Sequence, residues 1–214
     1  MDFIDDKLLI YAEEHSDEES PLLKELNRET YSKVLYSRML SGHLQGRCLS
    51  MLSNMIQPKI ILEIGTFTGY SALCLAEGLD YNGKLITIDI NDELTEMVQR
   101  FIDKSKFQNQ IEAICGDALE IIPKLNLKFD LVFIDADKQN YSNYYDLVFE
   151  KINLGGYIIA DNVLWSGHVI EDRKDWDNDT MHIHTFNEKI KNDNRVSKVL
   201  LPVRDGLLVI RKIK

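Results

Sequence analysis

Cysteine is scarce in this chain of 214 residues: Cys48, Cys74 and Cys115 are the only three, and no two of them form a C-x-x-C pair. An odd, unclustered set supplies neither a disulfide framework nor a zinc signature, so reduced thiols in a cytosolic protein are expected. Long apolar runs are also missing. Nothing approaches the roughly 18 residues that a spanning helix needs, and the longest candidates, such as Leu131 to Ile134, are strand-sized. The opening segment carries Asp2, Asp5 and Asp6 where an export signal would be positive. Basic charge is in deficit, with 25 Lys and Arg against 35 Asp and Glu and a formal net charge of −10. An acidic surface repels polyphosphate and argues against tight nonspecific nucleic-acid binding, although it leaves room for a local basic patch. The dinucleotide pattern G-x-G-x-x-G and the triphosphate signature Gly-Lys-Ser/Thr are both absent. What remains, 44% apolar and 28% charged residues, is the composition of an ordinary globule.

The first third reads as helix. Leu8, Leu9 and Ala12 follow Phe3 and Ile4 at helical spacing, Ser20-Pro21 is a helix start ahead of Leu22, Leu23 and Leu26, and a third helix is expected over Leu44 to Met55, closed by Pro58. The acidic stretch Glu13 to Glu19 reads as a solvated connection. From Lys59 the pattern changes. Apolar runs at Lys59 to Ile64, Lys84 to Asp89, Ile111 to Cys115, Phe129 to Asp135 and Gly156 to Asp161 alternate with helical patterns at Tyr70 to Leu79, Glu93 to Lys104, Ala118 to Leu125 and Tyr141 to Ile152. Continuous apolar strands alternating with helices predict a parallel sheet covered on both faces. Val196 to Val203 and Gly206 to Lys212, joined through Arg204-Asp205, predict an antiparallel hairpin.

In such a sheet ligands sit beyond the carboxyl ends of the strands. The first run ends Glu63-Ile64-Gly65-Thr66-Phe67-Thr68-Gly69-Tyr70-Ser71, a G-x-x-x-G turn that lets a ligand approach the backbone or simply turns the chain. The second ends at Asp89, where a carboxylate accepts from both hydroxyls of a ribose or caps the next helix. The third ends Gly116-Asp117-Ala118, with Asp117 either facing an adenine amino group or capping the helix from Ala118. The fourth and fifth end Asp135-Ala136-Asp137-Lys138 and Asp161-Asn162. Adjacent parallel strands bring Asp135 and Asp161 to one edge, where two carboxylates need a counter-charge. Helix caps or ion pairs with Lys138 are the structural alternative. The clustering at neighbouring strand ends favours a divalent cation, and the all-oxygen donor set Asp135, Asp161 and Asn162 suits Mg²⁺, Mn²⁺ or Ca²⁺ rather than Zn²⁺.

Taken together, Glu63 to Ser71, Thr87-Ile88-Asp89, Gly116-Asp117-Ala118, Phe133 to Lys138, Ala160 to Gly167 and Leu201 to Gly206 resemble the S-adenosylmethionine-dependent O-methyltransferases of the catechol and caffeoyl-CoA type. The resemblance implies a Rossmann-like α/β fold with a seven-stranded sheet of order 3-2-1-4-5-7-6, strand 7 antiparallel. It also implies a helical extension at 1–57 before a methyltransferase domain at 58–214, and a cytoplasmic, commonly dimeric enzyme. It assigns the cofactor contacts to Ser41, Glu63, Gly65, Thr66, Ser71, Asp89, Ala118, Asp135 and Asp137. It assigns the metal to Asp135, Asp161 and Asn162, the general base to Lys138, and substrate contacts to Asp135, Lys138, Trp165 and Ser166. Ser166 stands where plant caffeoyl-CoA enzymes carry an asparagine. The implied reaction moves a methyl group to a hydroxyl beside a second oxygen on a small phenolic.

Other residues have plainer readings. Trp165 and Trp176 stack on a flat substrate or pack in a core or dimer, His43 lines a pocket or the surface, and His182 and His184 face different directions on a helix. Tyr141, Tyr144 and Tyr145 read as an ordinary helix face. An alternative acceptor is a hydroxylated uridine of transfer RNA, for which Lys24, Arg28, Lys33, Arg38 and Arg47 would gather on one face. A binding or regulatory protein on the same scaffold is a further alternative, disfavoured by the intact Asp135, Lys138, Asp161 and Asn162 set.

Overall fold

The computed structural model describes residues 5–214; Phe3 and Ile4 of the expected first helix lie outside them. Three helices, α1 (Asp6–Glu14), α2 (Pro21–Lys33) and α3 (Gly42–Ile56), lead into the strand–helix alternation β1 (Ile60–Ile64), α4 (Tyr70–Ala76), β2 (Lys84–Asp89), α5 (Thr95–Lys104), β3 (Ile111–Cys115), α6 (Ala118–Lys124), β4 (Phe129–Ile134), α7 (Tyr141–Phe149) and β5 (Ile152–Ala160). Helix α8 (Asn178–Asn192) and the hairpin β6 (Val196–Leu201) and β7 (Leu207–Lys212) complete the order. The seven strands form one sheet, β3-β2-β1-β4-β5-β7-β6. The pairs up to β4–β5 are parallel, and β7 runs antiparallel to both neighbours. This is the Rossmann-like methyltransferase topology that the sequence motifs imply.

The two-residue period of the strands sorts the core into two layers. Leu62, Ile64, Val132 and Ile134 face α6, α7 and α8, meeting Ile122, Tyr145, Phe149 and Phe186. Ile61, Leu131 and Phe133 face the other way, toward Leu26, Leu49, Leu73 and Phe101. Both faces of the central strands β1 and β4 are therefore dry, which explains their unbroken apolar runs. Among the described residues, no helix is long and apolar enough to cross a membrane.

Several boundaries differ from the sequence-based expectation. Ile152, expected to end a helix, instead opens β5 and pairs with Phe129. The strand reaches Tyr157 only past an irregularity containing Gly155 at φ +85°. Helix α3 begins two residues early, at Gly42. The strand expected to reach Val203 stops at Leu201, because Pro202 has no N–H for the ladder. The acidic connection is not wholly solvated: Glu19 Oε1 accepts from Tyr70 Oη at 2.5 Å and from Asn27 Nδ2 at 3.3 Å, and the Asp17 carbonyl contacts His43 Nε2 at 2.7 Å.

Candidate active site

The ladder continues one residue beyond each central strand. Gly65 N donates to Ile88 O, Asp135 N to Ile64 O, Asp161 N to Ile134 O and Gly116 N to Asp89 O, at 2.8–3.0 Å. Gly65, Asp135 and Asp161 are thus held level at one edge of the sheet. This common height is what makes the strand ends a single site.

At the β1 end the chain turns tightly. A Cβ on Gly65 would lie 1.8 Å from the Asp135 carbonyl oxygen, so β1 and β4 approach here as only glycine allows. Asp89 closes the turn by accepting from Phe67 N at 2.7 Å and from Asn91 N at 2.9 Å. It therefore ties the glycine loop to β2. The cap of the following short turn is Asn91. Thr66 and Ser71 are buried beside this loop. Asp117 caps α6 by accepting from Leu119 N at 2.8 Å, the plainer of its two readings, and so fixes the buried Ala118 at the helix start.

Glu63 is completely buried. Thr87 Oγ1 donates to its Oε2 at 2.6 Å, while Oε1 has no partner among the described residues. Burial pushes its carboxyl up to about 8 against the Thr87 hydroxyl, with the charges of Asp135 and Asp89 adding to the rise. The native chain keeps this proton up to about pH 8, whereas the unfolded chain releases it near 4.5. Stability in the cofactor-free protein therefore falls across that window by on the order of 3–5 kcal/mol. Glu63→Gln is expected to remove the fall: its melting temperature relative to wild type rises from acid to mildly basic pH and levels off above about 8. A pH-independent difference between the two melting curves would contradict this.

The acidic cluster is organised around Lys138, whose side chain is 10% exposed. Its Nζ donates to Tyr141 Oη at 2.7 Å, to Asn162 Oδ1 at 2.8 Å and to Asp135 Oδ1 at 3.2 Å. The ammonium also lies 4.7 Å from the Tyr141 ring centre and 5.6 Å from that of Trp165. Tyr141 in turn donates to the Asp161 carbonyl at 3.0 Å. The Asp161 carboxylate is buried and accepts from Asn162 N at 2.7 Å and from Gln45 Nε2. Its carboxyl is pushed up by burial, with the Asp135 charge adding to the rise. Asn162, Trp165 and Ser166 all take positive φ (57°, 45° and 54°), a left-handed course that swings the chain back over the strand ends. Ser166 N is held there by Asp205 Oδ1 at 2.6 Å.

The tyrosines of α7 are not an ordinary helix face: Tyr141 joins the Lys138 cluster, and Tyr144 donates to Asp137 Oδ1 at 2.5 Å. Trp176 packs at 4.6 Å on His184 of α8 and donates to the Glu171 carbonyl, so Trp165 is the tryptophan at Lys138. Three residues here escaped the sequence reading: Gln45, Tyr141 and Arg204, which donates to the Gln45 side-chain carbonyl at 3.0 Å and to the Leu40 and Ser41 carbonyls. A signal existed for the first, since Gln45 stands one turn before Leu49 on the buried side of α3.

Known proteins share this fold. The family model described as O-methyltransferase matches residues 13–213. The chain belongs to the O-methyltransferase family. A probable caffeoyl-CoA O-methyltransferase of Dictyostelium discoideum is 33% identical over 211 residues, covering 96% of this chain and 91% of its own. The SAH-bound structure of a Podospora anserina methyltransferase superposes with a TM-score of 0.89 at 28% identity, covering 97% of this chain and 94% of that one. An O-methyltransferase of Streptomyces achromogenes, in complex with SAM, gives 0.88 at 26% identity, with 96% and 95% covered. The sequence resemblance implies two bound groups, a methyl donor and a divalent cation. For the methyl donor, the buried Glu63 Oε1 without a partner among the described residues is a polar acceptor left unsatisfied beside the glycine loop, which fits a polar ligand there. For a cation, no group of three or more His, Cys, Asp or Glu gathers among the described residues. The set is instead two carboxylates and an amide, and two of its oxygens, on Asp135 and Asn162, already converge on the positive charge of Lys138. All-oxygen donors of this kind fit a hard divalent ion.

Proposed function

We propose that this O-methyltransferase uses S-adenosylmethionine to methylate a hydroxyl beside a second oxygen on a small phenolic acceptor of the catechol or caffeoyl type. A divalent cation, Mg²⁺ before Mn²⁺ or Ca²⁺, would be held by Asp135, Asp161 and Asn162. The observation that carries the reading is the convergence of Asp135 Oδ1 and Asn162 Oδ1 on Lys138 Nζ beside the Trp165 ring. When bound, the sulfonium supplies an activated methyl group and the cation supplies Lewis acidity that acidifies the acceptor hydroxyl.

The chain's own residues do the rest. Ser41, Glu63, Gly65, Thr66, Ser71, Asp89, Ala118 and Asp137 line the methyl-donor side. Lys138 Nζ, in the neutral amine form that has a free lone pair, would take the acceptor's proton. Tyr141 accepts from that same Nζ while donating to the Asp161 carbonyl, and so aims it. Trp165 offers a flat apolar wall against which an aromatic ring lies, and Ser166 stands beside it. With reactants aligned this way, most of the rate gain comes from proximity.

Three of the five cations considered for a polyanionic acceptor are engaged elsewhere: Lys24 with Glu18 at 2.5 Å, Lys33 with Glu29 at 3.0 Å and Arg47 with Glu77 at 2.8 Å. This supports a small acceptor over transfer RNA. The test is a methyl-transfer screen across catechols, caffeoyl-type esters, flavonoids and transfer RNA, with Mg²⁺ and with chelator. Transfer to vicinal oxygens that stops in chelator is expected. Equal turnover in chelator would end the metal reading, and salt-steep transfer to RNA alone would replace the acceptor.

A further inference from the structure

Gln45 is 1% exposed, and the two ends of its amide have different neighbours. Nε2 donates to Asp161 Oδ2, and Oε1 accepts from Arg204 Nη1 at 3.0 Å. A guanidinium only donates and a carboxylate only accepts, so the amide has one satisfied orientation. Arg204 comes from the turn between β6 and β7, and its Nη1 also donates to the carbonyls of Leu40 and Ser41. The same turn grips the chain just beyond Asp161: Val163 N donates to Gly206 O at 3.2 Å and Leu164 N to Asp205 O at 2.9 Å. Asp161 is thus fixed twice by one turn, directly through the backbone after it and indirectly through Gln45.

We propose that Gln45 is a positioning residue that holds the Asp161 carboxylate in its cation-ready rotamer, and that Arg204 sets Gln45 for this task. The proposal rests on the metal reading above. Among the described residues the Asp161 carboxylate has two donors, Asn162 N and Gln45 Nε2, and it keeps further lone pairs for a cation. Removing the amide leaves one oxygen unheld and the side chain free to turn. Partners of this outer kind are worth about 10–100-fold in metal affinity.

The test is calorimetric titration of Mn²⁺ into the full chain loaded with S-adenosylhomocysteine. Gln45→Met keeps the length and packing of the side chain and loses the amide. Its Mn²⁺ Kd is expected to rise about 10-fold or more, while its affinity for S-adenosylhomocysteine without metal stays within about twofold of wild type. In turnover, the Mn²⁺ activation constant should rise while KM for the methyl donor holds. Arg204→Met, at an exposed turn position, provides a second variant that does not disturb the core. It should weaken Mn²⁺ in the same direction, and the double variant should be no weaker than Gln45→Met alone. Wild-type Mn²⁺ affinity in Gln45→Met, beside lost binding in Asp161→Ala, overturns the positioning role and spares the metal. Equal Mn²⁺ uptake by wild type and Asp161→Ala overturns both. Additive losses in the double variant overturn the role of Arg204.

Discussion

Lys138→Met is expected to lower kcat by about 10²–10⁴-fold, the range for loss of a positioned general base. Binding of S-adenosylhomocysteine should stay within about twofold, because the donor side of the site is built from other strand ends. Lys138→Arg should not restore the rate, since a guanidinium stays protonated and cannot accept the hydroxyl proton. A second readout follows from geometry. Lys138 is the cation between Asp135 and Asn162, and without it the Asp135 charge, which already raises the Asp161 carboxyl, has no counter-charge from this side chain. The methionine variant's melting temperature should therefore respond more to added Mg²⁺ than the wild type's does. Single-turnover rates at saturating acceptor decide the matter, and an unchanged rate would remove Lys138 from the chemistry.

The second large effect concerns backbone. Gly65 has φ +99°, and an added methyl would meet the Asp135 carbonyl at 1.8 Å. That carbonyl cannot retreat without parting β4 from β1, because Asp135 N is bonded to Ile64 O. Gly65→Ala is expected to cost about 4 kcal/mol or more, from overpacking and backbone strain together. A domain of this size then melts about 8–16 °C lower. Gly42→Ala is the control: its φ is also positive, at +75°, but no atom lies within 4 Å of the new carbon. It should cost only about 1 kcal/mol. Melting curves followed by circular dichroism compare the two, and similar losses would show that conformation rather than the β1–β4 approach governs Gly65.

The sheet was legible because its signal is local. Runs such as Lys84 to Asp89 and Ile111 to Cys115 are short and rich in apolar β-formers, and the observed strands coincide with them. The strand ends were legible for the same reason: Asp89, Asp135 and Asp161 each stand where a run stops. The unread parts are contacts between distant segments. Gln45 meets Asp161 across 116 residues and Arg204 meets Gln45 across 159. Nothing in the neighbourhood of either residue announces the other. Tyr141 was visible as a helix residue, but its hydroxyl's role depends on the level at which β5 ends. Ile152 shows tertiary pairing overriding a helical pattern, since its partner Phe129 lies on another strand.

The strand order has a consequence for the nascent chain. β7 inserts between β5 and β6, so Ile158, Ile159 and Ala160 have no partner on that side until residues 208–210 have been synthesised. On the ribosome the half-made sheet therefore shows an apolar open flank, the kind of surface that recruits chaperones or sticks to a second copy. The guanidinium that reaches back 163 residues to Ser41 arrives in the same stretch. Protection from aggregation and completion of the candidate site are thus delivered together, by one late hairpin.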